Sequence, residues 1–112
     1  MCSALEKQFR MNLGKSFLRM RFYEMAIAQF TKVIGRDSHA AEAFAHRAFT
    51  YFGRGDLDRA ILDNTKAIDI RPDYVEAYGA RAIAYHKKSC FEEALSDYNK
   101  AIEIDPNAAS FY

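Results

Sequence analysis

Displaced by 34 residues, the sequence meets itself: Ala41–Tyr74 aligns with Val75–Ala108, and 12 of the 34 positions are identical, against about two expected by chance. The shared residues are spread along the whole period, from Glu42/Glu76, Arg47/Arg81 and Tyr51/Tyr85 to Asp63/Asp97, Ala67/Ala101 and Pro72/Pro106. A more divergent third copy, residues 7–40, keeps Gly14, Phe17, Ala26, Phe30, Lys32 and Ile34 on the same columns. A six-residue lead and the last four residues, 109–112, complete the 112 residues. A chain with this period folds as an array, because a unit this small cannot bury its own apolar face and must stack on its neighbour.

Each copy holds two blocks of apolar residues at helical spacing, such as Phe44, Ala48 and Tyr51, then Leu57, Ala60, Ile61, Ala67 and Ile68. Gly55 is placed to end the first helix in a left-handed conformation, and Asp56 to cap the second. Pro72 and Pro106 close the second helices, and Asp73-x-x-Glu76 reads as a capping box for the next one. Small residues on the columns Gly14/Ala48/Ala82 and Ala26/Ala60/Ala94 let paired helices approach closely. Arg47 and Arg81 change together with Asp63 and Asp97, since the first copy has Leu13 and Gln29 on those columns. This predicts Arg47–Asp63 and Arg81–Asp97 ion pairs between the helices of repeats two and three, and none in repeat one.

The residues Phe44, Ala48, Tyr51, Ala60, Ala67 and Pro72, with Tyr78, Ala82, Tyr85, Ala94, Tyr98, Ala101 and Pro106, resemble the tetratricopeptide repeat signature over nearly the whole chain. The resemblance implies an all-α fold, a right-handed superhelical solenoid of three helix-turn-helix repeats at 7–40, 41–74 and 75–108, with 109–112 starting a truncated fourth. Asn64, Arg10 and Ser38 depart from the signature. It also implies a non-catalytic interaction scaffold with a concave face formed by the first helix of each repeat. The residues expected on that face are Met11, Asn12, Lys15 and Arg19, then Glu42, His46, Phe49 and Phe52, then Glu76, Ile83, His86 and Lys87. Lys15 and Arg19 are placed to hold a carboxylate, and Phe49 and Phe52 suit either a ligand or the packing between repeats. Related domains in co-chaperones hold the carboxylate tail of heat-shock chaperones with a Lys/Asn/Asn/Lys/Arg set. The matching columns here are Met11, Lys15, His46, Glu76 and Ala80, which argues against such a tail as the ligand.

Other classes fare worse. No phosphate loop, His-Glu-x-x-His or Cys-x-x-Cys occurs, so no catalytic residue, metal ligand or cofactor is assigned. His39, His46 and His86 read as surface or groove side chains, and Cys90 as a free thiol in a turn. No stretch without a charged residue exceeds seven residues, which speaks against a membrane span, and two cysteines with no signal peptide suggest a cytoplasmic setting. The net charge of +1 conceals an uneven distribution: residues 7–40 carry seven basic and two acidic side chains (+5), residues 41–74 net −1 and residues 75–108 net −2. The basic first repeat leaves nucleic acid a weaker alternative, since it shows no exposed aromatic residues interleaved with its charges for base stacking. The expected partner is another protein or a peptide, with homo-oligomers through an exposed face of the last helix (Leu95, Tyr98, Ile102). The alternative is a targeting or regulatory fragment of a larger protein or enzyme.

Overall fold

The computed structural model describes residues 4–107; the stub at 109–112 and Cys2 lie outside them. Among the described residues six helices follow one another: α1 (Ala4–Arg19), α2 (Tyr23–Arg36), α3 (Ala41–Arg54), α4 (Leu57–Ile70), α5 (Val75–Lys87) and α6 (Phe91–Ile104). No strand occurs among the described residues. Each helix packs on the next, and α3 also touches both α1 and α5, so odd-numbered helices line one side of an elongated body of 41 × 25 × 21 Å. This is the α-solenoid of three helix pairs that the period predicts.

The small-residue columns hold the pairs together. Ala26, Ala48, Ala60 and Ala82 are fully buried. At Gly14 a Cβ would lie 2.6 Å from the Phe30 ring, so repeat one admits no side chain there. One core cluster gathers Met11, Ala26, Phe30, Val33, Ala40 and Ala43; a second gathers Ala41, Phe44, Ala67, Ile68, Tyr74 and Ala77. Both clusters cross a repeat boundary, as expected where stability comes from stacking.

Both predicted ion pairs form. Arg47 donates to Asp63 at 2.7 and 2.9 Å, and Arg81 to Asp97 at 2.7 and 2.8 Å, each a two-pronged contact with the aspartate buried. The third arm of each guanidinium reaches back to the preceding repeat, Arg47 to Thr31 Oγ1 (3.1 Å) and Arg81 to Thr65 Oγ1 (3.0 Å). One arginine therefore ties three helices. The aspartates hold both guanidiniums protonated above their usual range, against the effect of burial. In repeat one a hydrogen bond to a neutral acceptor takes this place, from the Arg10 guanidinium to the Gln29 amide oxygen at 3.1 Å. Surface pairs Arg54–Glu24 and Lys88–Asp58 recur across successive repeat boundaries.

One local expectation needs correction. The Asp73–Glu76 capping box does not form: Tyr74 occupies the N-cap of α5 and makes no side-chain cap bond. Its ring is instead buried under Arg71, whose guanidinium sits 4.3 Å from the ring centroid, so packing overrides the cap. Gly55 does end α3 at φ +91°, and Asp56 accepts from the Arg59 N–H. The same turn in the other repeats places Arg21 (φ +62°) and Ser89 (φ +65°) in the left-handed region without glycine.

Candidate functional site

The odd-numbered helices expose the face on which most of the expected site residues fall. Phe49 is 58% exposed, Phe52, Ile83 and His46 are half-buried, and Asn12, Arg19, Glu42, Glu76, His86 and Lys87 are exposed. Met11 is the exception. It is 5% exposed and packs into the core with Phe30 and Val33. It contributes an edge of a hollow rather than a contact surface.

The charges are arranged as a local circuit. Lys15 pairs with Glu42 at 2.9 Å, and His46 Nε2 lies 3.4 Å from the same carboxylate. Lys15, placed by the sequence to hold a carboxylate, pairs with one within the chain. Its hydrogen bond holds Glu42 ionised below the usual glutamate range. Burial, reinforced by Lys15, lowers the His46 pKa, and the ring stacks on Phe30 at 5.7 Å as a neutral group. Arg19 bonds Ser16, Lys87 lies 5.7 Å from the Phe52 ring centroid, and His86 meets Phe91 edge-on.

Three concavities follow this face. One of about 460 Å³ lies between α1, α3 and the α4–α5 turn, and is lined by Lys7, Gln8, His39, Glu42 and Arg71 among others. A second of about 420 Å³ joins Glu42, His46 and Phe49 of α3 to Glu76 and Ala80 of α5, with Asn64 and Arg71. Beside it a slot of about 50 Å³ is walled by Ala48, Phe49, Phe52, Ala80 and Ile83 and bounded by Asn64. Sequence reasoning named most of the walls and missed Asn64 and Arg71, which come from α4 and the turn after it. The break in the aromatic column Phe30/Asn64/Tyr98 was the available signal for Asn64. Among the described residues no three His, Cys, Asp or Glu side chains converge as metal ligands, and no helix is long and apolar enough to cross a membrane. The arrangement offers apolar walls, a few polar groups and mixed charge in an open trough, which suits recognition of an extended chain.

A tetratricopeptide repeat profile matches residues 75–108, and a second TPR profile matches residues 50–89. No curated protein matches the chain. Among solved structures, the chain is 26% identical to the first TPR domain of Spaghetti (RPAP3) bound to the HSP90 peptide SRMEEVD, with TM-score 0.89 over 94% of this chain and 83% of that one. It is 27% identical to the first TPR domain of human RPAP3, with TM-score 0.87 over 90% and 80% of the two chains. The TPR2B domain of yeast Sti1, in a complex with pHsp70, shares the fold at 23% identity, with TM-score 0.89 over 96% and 86%.

Proposed function

Since the chain belongs to the tetratricopeptide repeat family, we propose that it is a non-catalytic interaction scaffold whose concave face takes up an extended segment of a partner protein. The observation that carries this reading is the row Phe49, Phe52 and Ile83, which leaves apolar surface open beside the troughs instead of sealing it between repeats. Aromatic anchors in a partly desolvated trough are where binding energy concentrates. Likeness to a domain that holds a peptide supports the same reading.

The identity of the segment is a separate matter. An acidic tail would meet Glu76, and Lys15 is engaged by Glu42, so a less acidic segment fits this face better. The RPAP3 domain is itself bound to an HSP90 peptide, so the likeness lends no support to excluding a chaperone tail, and SRMEEVD belongs in the test. Peptides selected from a phage-displayed random library, and SRMEEVD beside them, are titrated by fluorescence polarisation. The selected peptides are expected to bind and to lose about tenfold or more in affinity on Phe49→Ala with Ile83→Ala. Unchanged affinity in that variant would place the partner elsewhere, and tight binding of SRMEEVD would overturn the preference against the tail.

A second surface supports self-association. Phe91, Leu95 and Ile102 follow one stripe of α6 and are 60%, 60% and 39% exposed. Light scattering over a range of concentrations is expected to show a mass increase that Leu95→Glu suppresses; a constant monomer mass rejects it.

A further inference from the structure

Asn64 breaks the pattern of the repeated interior. On its column the other repeats carry Phe30, which is fully buried, and Tyr98. Asn64 is 2% exposed, and its Oδ1 has no hydrogen-bond partner among the described residues. Helix packing does not ask for an amide here, since an aromatic ring is fully buried at the same place in repeat one. Buried acceptors without donors are rare in native proteins, and such breaks of local rules collect at functional sites. Asn64 borders both the narrow slot and the wider trough of the concave face.

We infer that this slot is a specificity pocket for a short hydroxyl side chain, threonine ahead of serine, on the segment bound in the trough; the inference rests on the groove reading above. Size selects first. The slot of about 50 Å³ has room for about three or four heavy atoms, at roughly 10–15 Å³ per water-sized atom, and threonine has three. Its walls select next. Ala48, Phe49, Phe52, Ala80 and Ile83 offer contacts to a methyl group and no hydrogen bonds from their side chains. Asn64 selects last. Its orphan oxygen calls for a donor, and among apolar walls a neutral donor is favoured over an ammonium, which would lose its hydration. Oδ1 is itself buried, and the broad χ2 torsion of the amide allows it to turn toward the slot when a donor enters. A hydroxyl can then donate to Oδ1 while accepting from the Nδ2 of the same amide, which suits serine and threonine and excludes valine.

The test uses the phage-selected peptides and synthetic versions in which the slot threonine becomes valine, on the intact chain and on Asn64→Leu. Selected peptides are expected to share Thr or Ser at one position. The Thr-to-Val change should weaken binding about tenfold on the wild-type chain, the loss of one hydrogen bond to a buried acceptor. On Asn64→Leu the two peptides should bind alike. A thermal melt verifies that Asn64→Leu is folded, and Asn64→Ala serves if it is not. Equal affinity of the Thr and Val peptides for the wild-type chain, or the same loss on Asn64→Leu, overturns the pocket and leaves the groove standing. Failure to select any peptide removes the groove, and the pocket with it.

Discussion

Repeat one and repeats two and three close the same gap between paired helices with different chemistry. In repeat one the joint is steric: the Phe30 ring lies against Gly14 in a cluster with Met11, and the Arg10 guanidinium donates to the neutral amide of Gln29. In repeats two and three Ala48 and Ala82 replace the glycine, and a buried Arg–Asp pair with a threonine from the previous repeat joins the helices. Arg47 and Arg81 each act across a repeat boundary, so the charge system can propagate only where a preceding threonine exists. Repeat one carries Leu13 and Gln29 on the two charge columns, and aromatic packing holds its helices together. Similar helix pairs thus tolerate an exchange of interior chemistry, provided that the small-residue columns keep the spacing.

The largest test of this contrast is Phe30→Ala, which should cost about 4 kcal/mol in urea unfolding, because a rigid ring beside Gly14 leaves a cavity that α1 and α2 cannot close without moving. A cost under 1 kcal/mol would show repeat one to be held elsewhere. Next, Asp63→Ala and Asp97→Ala should each cost about 2–3 kcal/mol, since each strands a largely buried guanidinium. The double change Arg81→Leu with Asp97→Leu should recover most of that loss. If single and double variants lose equally, the pair contributes by direct attraction rather than by mutual desolvation. Smaller and of opposite sign, Asn64→Leu should raise stability by about 1 kcal/mol, removing an orphan acceptor from the core. Ser89→Gly should add roughly 0.5–1 kcal/mol by relieving its left-handed backbone. The smallest effect concerns pH. The folded-state pKa of His46 lies below the ordinary 6.5, so as the pH falls through that range the unfolded chain takes up the proton first. Stability should decline as the pH falls below about 6.5, and His46→Gln should flatten the decline; the Glu42 contribution is lost only at the lower pH where carboxylates protonate.

Much of this was legible in the residues. Columns that change together disclosed the Arg–Asp pairs, because a charge buried between helices needs its partner at a constant offset. The threonine arm was equally present, as Thr31 and Thr65 share a column, yet a hydroxyl on a helix surface has many innocent uses. Met11 was misassigned because a helix with weak apolar segregation does not declare which side faces its neighbour. The Asp73 cap failed for a related reason, since the burial of Tyr74 set the start of α5. Arg21 and Ser89 carry no sign of a positive φ; the turn is imposed by the helices on either side.

The sequence by itself determined the number of repeats, the helix pair in each, the small-residue contacts and the buried ion pairs, since all of these depend on spacing along the chain and repeat with it. Only the tertiary structure decided that Lys15 pairs with Glu42, that Met11 turns inward, and that Oδ1 of Asn64, at the edge of a slot, has no partner among the described residues. Those facts arise where helices from different repeats meet, and a contact between such helices depends on their relative rotation, which a periodic pattern leaves free.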